Sequence, residues 1–378
     1  MIRSSFKDLQ APVVIIGDGW AALGAVRFLI SAQAPVVWIQ GNGARILPAL
    51  PALAHGAGAE AWITLARDAG IELSSAQSGC FLREFRNKAF REPLWTKAPT
   101  PESREEALRE VLWGPERAFT GAFETRFELT IAEIEEKVRA GLLEAPAFER
   151  IEGLPVTEIK VEKGAVSAVV LGSGREIACS QVIHADPWSQ LPTIAGLPKA
   201  LPFARKREPM GVLQAVFQHH EAVAADVAEG FFTSLHKEAG EESERHVFGY
   251  FLDGGMRSVW STCLAADEIE DNHAIAKKLR RMKNAIDKMF AGPGWLKDPE
   301  KAFMTNVRSE QVRFEGDVVF AEGEPTLEAQ AIPTIAGFSC LTDGYGPSRA
   351  LAQVVSLLLE PPQPEAQAEG MQPVPAQG

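Results

Sequence analysis

The chain opens with a short, unbroken apolar run followed by a segment of helical period. Val13-Val14-Ile15-Ile16 holds four apolar residues in succession, the pattern of a parallel strand buried on both faces. The run breaks at Gly17. From about Trp20 the pattern turns helical, with small residues at Ala21, Ala22, Gly24 and Ala25. A second apolar run, Val36-Val37-Trp38-Ile39, follows about one helix later. Together these predict a β-α-β unit near the start of the chain.

Patterning predicts the rest in the same way. Ala57 to Gly70 reads as a helix closed by a glycine, and Ile71-Glu72-Leu73 begins an extended piece. Phe81 to Phe85 leads into a linker marked by Pro93, Pro99 and Pro101, and Glu102 to Leu112 reads as a helix. Thr130 and Glu133 form a T-x-x-E capping box ahead of a helix whose core stripe is Ile131, Ile134, Val138 and Leu142. Strands are expected at 156–162, 165–171 and 176–179, joined by Lys163-Gly164 and Gly172-Ser173-Gly174 into a meander. Val182 to Ala185 is another short buried strand, ended by Asp186-Pro187.

Beyond residue 203 the chain reads as a second domain. Strands are expected at 211–219, 230–236, 246–252 and 257–264, the last two a hairpin across Asp253-Gly254-Gly255. An amphipathic helix spans about 267–290, with Ile275, Leu279, Met282, Ile286 and Met289 on one face. Short strands follow at 303–308 and 317–320, and a last one at Ile335 to Phe338. A glycine-rich loop, Thr342 to Pro347, then leads into a helix from Ser348 to Leu359. Residues 361–378 have the composition of a disordered tail.

Composition narrows the function classes. The 378 residues are 46% hydrophobic and 23% charged, as in a soluble globular protein with a real core. A formal net charge of −12 argues against nucleic acid or an anionic membrane as the main partner. No run reaches the roughly 18–20 apolar residues of a membrane span. The N-terminal apolar run is stopped too early for a secretory signal. Cys80, Cys179, Cys263 and Cys340 are scattered without a C-x-x-C pair, which suits buried thiols in a reducing, cytoplasmic setting. The seven histidines are not spaced with them, so no metal site is predicted. His219 and His220 adjoin in a strand-like run and should face opposite sides.

The chemistry concentrates in Gly17-Asp18-Gly19-Trp20-Ala21-Ala22, a G-x-G-x-x-A turn between strand and helix. Gly17 permits the tight bend. Gly19 lets a pyrophosphate approach the backbone, where the helix N-terminus offers N–H groups and a partial positive charge. Ala22 is small enough for the helix to pack on the strand. The alternative is a tight β-α turn that carries no ligand. No G-x-S-x-G elbow, H-E-x-x-H or phosphate-binding G-x-x-x-x-G-K-[ST] is present.

The order of these pieces resembles the FAD-dependent amine oxidase, phytoene desaturase and protoporphyrinogen oxidase superfamily of NAD(P)/FAD-binding oxidoreductases. GDGWAALGAVRFL is similar to its opening motif, PVTEIKVEKGAVSAVVLGSGREIACSQVIHADP to its middle signature, and IAGFSCLTDGYGPSRALAQVV to its closing motif. The resemblance implies an α/β fold (α+β overall): a Rossmann-like FAD-binding domain of parallel sheet plus β-meander, with an inserted substrate domain of antiparallel sheet and helices. The FAD-binding domain would comprise residues 1–77, 151–200 and 329–360. Residues 78–150 would form the helical part of the substrate domain and 201–328 its sheet.

The same resemblance assigns cofactor contacts to Gly17, Gly19, Trp20, Ala21, Ala22, Gln40, Gly41, Arg45, Val156, Asp343, Gly344, Tyr345 and Gly346. Tyr345 is the candidate nearest the flavin. The implied activity is hydride transfer from a small, apolar or amine substrate to a non-covalent flavin. Two departures stand out. Gln40 occupies the position where the family has a ribose-binding glutamate, and Gly337-Phe338-Ser339 lacks the family's acidic residue. They leave open a non-catalytic binding or scaffold member of the fold. A neutral residue 40 with Arg45 nearby also leaves open an NADP-dependent reductase.

Among residues outside the motifs, Phe217, Phe231, Phe232 and Trp260 read as core rather than pocket. Arg308 and Arg313 read as surface charge, and His184 as a core histidine.

Overall fold

The computed structural model describes residues 6, 9, 11–41, 51–54, 58–73, 82–86, 88–91, 125–140, 142, 148–186, 188–199, 201, 210–228, 230–236, 245–264, 268, 271–290, 305–316, 330–341 and 347–359. Its first layer is built on the apolar runs. Strand β1 (Val13–Ile16) is buried along its whole length, and so is β2 (Val36–Gln40), with helix α1 (Trp20–Ser31) between them. β1 pairs in parallel with β2 from Val13↔Val36 to Ile16↔Ile39. On its other side β1 pairs in parallel with β11 (Gln181–His184), which pairs in turn with β18 (Phe338–Cys340). β7 (Phe148–Glu152) lies parallel to β2, and β17 (Gln330–Ala331) closes the far edge antiparallel to β18. The sheet order is β17-β18-β11-β1-β2-β7.

Alternation along these strands feeds two cores. Val13, Ile15, Val36, Trp38 and Ile183 face α1, α2 (Ala59–Asp68), α3 (Ile131–Ala140) and the closing helix α6 (Pro347–Leu358). Val14, Ile16, Val37, Ile39 and Val182 face the meander of β8 (Val156–Glu162), β9 (Ala165–Leu171) and β10 (Glu176–Ala178). Helix α6 approaches α1 where a side chain is missing: a Cβ on Gly24 would lie 2.2 Å from Leu351 Cδ2.

The second layer is a seven-stranded sheet, ordered β16-β12-β15-β14-β13-β4-β5. It comprises β4 (Leu82–Arg86), β5 (Ala89–Arg91), β12 (Met210–His219), β13 (Phe231–His236), β14 (Arg245–Leu252), β15 (Arg257–Leu264) and β16 (Thr305–Gly316). Every pairing is antiparallel except β13 with β4. The short helix α4 (Ala225–Ala228) and the long amphipathic helix α5 (Asn272–Phe290) contribute to its covered face, where Phe217, Phe232, Phe251, Trp260 and Phe290 form one core. Tyr250 and Val259, on the opposite face, join the core of the dinucleotide half instead. A separate two-stranded ribbon pairs β3 (Pro51–Ala54) with β6 (Thr125–Thr130).

Several expectations need correction. Residues 303–308 and 317–320 were expected as two short strands; Thr305 to Gly316 is one twelve-residue strand, and 317–320 lie outside the described residues. Its sequence is mostly polar and carries no apolar run. Pairing with β12 along almost its full length supplies what the pattern lacks. The last short strand is Phe338–Cys340 rather than 335–338, because Gly337 takes φ +78 and turns the chain into it. The segment 78–150 contributes strands β4, β5, β6 and β7 besides α3, and α3 packs in the dinucleotide-side core. The expected helix 102–112 and the tail 361–378 lie outside the described residues.

Gly337 holds β18 against β11: its carbonyl accepts from Val182 N, and an added Cβ would lie 2.3 Å from the Ser180 carbonyl oxygen. Gly174 shares the positive φ (+81) but faces open space. Gly337→Ala should therefore cost about 3 kcal/mol by urea denaturation, against about 1 kcal/mol for Gly174→Ala. Equal losses would show that backbone conformation, not close approach, is what Gly337 provides.

Candidate functional site

The crevice at the C-terminal ends of β1 and β2 brings together the residues of the glycine-rich turn. Gly17 has φ +138, and a Cβ there would lie 2.8 Å from the carbonyl carbon of Ala185. Both facts require glycine, because the clash is with backbone that cannot move aside. Gly17 N donates to the Ile39 carbonyl at 3.0 Å. The indole Nε1 of Trp38, buried on β2, donates to the Gly17 carbonyl at 2.7 Å. Gly19 then caps α1 in an extended conformation. No side chain caps this helix, and its first turn holds no acidic residue. A glycine N-cap followed by a turn without acidic side chains is suited to an anion.

Asp18 ties the turn to the end of β2, where its Oδ2 accepts from Gly41 N at 3.1 Å. Gln40 is buried, and its Oε1 accepts from Arg150 Nε at 2.5 Å. A guanidinium only donates, so the amide oxygen must face Arg150 and the NH2 group must face away from it. Arg150 also pairs with Glu152. From α3, Arg139 donates to the Asp18 carbonyl and holds Glu135 Oε1 at 2.8 Å. Both arginines lie over Trp38, with Arg139 4.7 Å and Arg150 5.9 Å from the ring centre. The indole thus holds the turn with its N–H and supports two cations with its ring.

Two buried polar atoms near this turn have no hydrogen-bond partner: Trp20 Nε1 and His184 Nδ1. His184 ends β11 opposite Ile16 and Cys340. Burial pushes its pKa down to about 4, so the imidazole is neutral at physiological pH. Burial likewise pushes the Cys340 thiol up. Cys179 is pushed up to about 12, and both are free, buried thiols. Histidine 184 is therefore a core residue as expected, but not a satisfied one. His219 is buried against Ser258 Oγ at 2.6 Å while His220 is exposed, as their adjacency in a strand requires.

Gly17, Gly19, Trp20, Ala21, Ala22, Gln40 and Gly41 meet at one crevice. The Trp20 side chain turns into the core, edge-on to Trp62 with ring centres 4.6 Å apart, so only its backbone faces the turn's task. Val156 opens β8, half-buried against the meander-side core. Arg45, Asp343, Gly344, Tyr345 and Gly346 lie outside the described residues. The sequence reading missed Trp38, Arg139, Arg150 and Glu135. The Glu135/Arg139 spacing of four was a visible signal, but one that ordinarily marks an exposed helix pair.

These residues fit a dinucleotide. The glycine N-cap of α1 and a first turn without acidic side chains match an anionic group at the turn. The donor set at Gln40 differs from the carboxylate acceptor that usually meets a ribose.

No family model and no curated protein matches the sequence. Solved structures do match. An oxidoreductase from Methanosarcina mazei aligns with TM-score 0.57 at 11% identity, covering 92% of this chain and 99% of that one. L-proline dehydrogenase from P. horikoshii aligns with TM-score 0.53 at 11% identity, covering 92% and 91%. PqsL from Pseudomonas aeruginosa, a probable FAD-dependent monooxygenase, aligns with TM-score 0.51 at 14% identity, covering 92% and 83%.

Buried neutral histidines make stability depend on pH. Burial pushes both His184 and His219 down to about 4 in the folded chain, below the ordinary imidazole value of 6.5. The unfolded chain binds more protons between those values, so stability is complete above about pH 6.5 and declines as pH falls toward 4. Thermal melts across that window should show the decline, and His184→Leu should remove about half of this two-histidine contribution. An unchanged slope in His184→Leu would mean that His184 is not buried as a neutral imidazole. With its turn, its sheet order and these alignments together, the chain has the α/β Rossmann-like fold of FAD-dependent oxidoreductases.

Proposed function

We propose that the protein is an FAD-dependent oxidoreductase of the amine oxidase or desaturase type, acting by hydride transfer from a small, apolar or amine substrate to a non-covalent flavin. The observation that carries this reading is the glycine turn. Gly17 packs on the strand β11 so closely that it can carry no side chain, and the chain passes directly into a helix capped by Gly19, in a fold shared with FAD-dependent oxidoreductases. FAD, when bound, supplies the two-electron acceptor. The chain supplies binding and orientation. The backbone from Gly17 to Ala22 would hold the pyrophosphate, Gln40 and Gly41 would lie toward the adenosine ribose, and Val156 toward the adenine. Arg45 and the closing loop Asp343-Gly344-Tyr345-Gly346 complete the set by resemblance, with Tyr345 at the flavin.

In this reading residues 1–77, 151–200 and 329–360 carry the cofactor, while 78–150 and 201–328 carry the substrate. Proline dehydrogenase among the structural neighbours keeps an amine within the reading. His184 is neutral and enclosed, which argues against a role as a proton shuttle. No helix among the described residues is long and apolar enough to cross a membrane. Buried free thiols at Cys179 and Cys340 support a cytoplasmic setting.

One observation favours a second reading, a binding protein of the same fold with weakened flavin retention: Gln40 has already committed its oxygen to Arg150.

The visible absorption spectrum of protein purified without added cofactor separates the two. A flavin spectrum whose chromophore is released by heat is expected, and Gly19→Val should abolish it. Colourless protein that also takes up no added FAD would overturn the reading.

A further inference from the structure

Glu135 is a buried carboxylate linked to the turn through Arg139. It lies on α3, one helical turn before Arg139, and is only 7% exposed. Its Oε1 accepts from Arg139 Nε at 2.8 Å. Its Oε2 is buried and has no hydrogen-bond partner among the described residues. A buried carboxylate oxygen is a strong acceptor, and native proteins rarely leave one unmet unless a ligand or water completes it. Arg139 links this carboxylate directly to the dinucleotide turn through the Asp18 carbonyl, and lies over Trp38 of β2.

The end of β2 shows the complementary deficit. A nucleotide ribose offers hydroxyl donors, and this fold ordinarily meets them with a carboxylate there. Here Gln40 offers a neutral amide oxygen that already accepts from Arg150, a weaker acceptor for a hydroxyl than a carboxylate. Gln40 and Glu135 are each bonded to an arginine, and both arginines lie over the ring of Trp38.

We infer that Glu135 is the ribose-binding residue of this chain: its Oε2 accepts from a hydroxyl of the adenosine ribose, in place of the carboxylate that β2 lacks. The ligand class is an adenosine diphosphate with a free ribose diol. The inference rests on the dinucleotide reading above and extends it to a residue outside the β-α-β unit. Arg139 is the positioning residue, since it fixes Oε1 and so directs the second oxygen.

The test compares ADP with 2′,3′-dideoxy-ADP by titration calorimetry on the full chain after any bound flavin has been removed. Wild type should bind ADP about tenfold more tightly, the range of one charge-assisted hydrogen bond. Glu135→Gln keeps an oxygen for Arg139 but replaces the acceptor. It should bind both nucleotides within about twofold, with dideoxy affinity unchanged, an outcome that general loss of structure would not give. Glu135→Asp, which keeps the charge but withdraws it by one methylene, should fall between the two and serves if the glutamine variant does not fold. Discrimination that survives in Glu135→Gln, or that is lost in Gln40→Leu instead, would overturn the inference. Flavin-free wild type that binds neither nucleotide would overturn the inference, and if it also takes up no FAD the flavin reading falls with it. Glu135-dependent discrimination in a protein that takes up no FAD would overturn only the flavin reading. Retained FAD with no effect of Glu135 would overturn only this inference.

Discussion

The bond from Trp38 Nε1 to the Gly17 carbonyl is the contact on which the site depends. It fixes the peptide at which β1 stops being a strand. It is possible only because Gly17 has no side chain to strike Ala185 on the neighbouring strand. A buried hydrogen bond of this kind contributes only about 1 kcal/mol net, but leaving the carbonyl unmet in the core would cost about 1–3 kcal/mol. The indole is therefore worth more for what it prevents than for what it adds. With its N–H committed, the ring offers its surface to Arg139 and Arg150, which reach the turn and the end of β2 from two separate elements.

The rest of the architecture follows from burying that β-α-β unit on every side. Alternation along β1, β2 and β11 sends one set of side chains to the helices and the other to the meander. Helix α6 closes against α1 at Gly24, which brings the end of the described chain back to its beginning. The seven-stranded sheet commits one face to α5 and gives Tyr250 and Val259 to the dinucleotide-side core. The two halves thus share apolar packing.

How much of this was legible depends on the range of the determining contacts. Val13–Ile16, Val36–Ile39 and Val182–His184 are recognisable strands because burial on both faces leaves no polar position. The meander was legible from its alternation and its glycine turns, and matches β8, β9 and β10 closely. Strand β16 was not, because its polar sequence becomes a strand only through its partner β12. The glycine turn announced itself through local sequence. Its environment did not: Arg139 and Arg150 meet residues 121 and 110 positions away, and no local pattern encodes such a meeting. Gln40 shows the limit most clearly. Its identity hinted at an altered ribose site, but only the arginine opposite it reveals which way the amide faces.

The central claim is that an adenine dinucleotide lies across the turn at the head of α1. A crystal structure of the protein grown with FAD tests this most directly. The account expects the pyrophosphate within hydrogen-bonding distance of the backbone between Gly17 and Ala22, with the adenosine directed toward Gln40 and Glu135. Bound FAD located elsewhere, with that turn making no contact to phosphate, would contradict it.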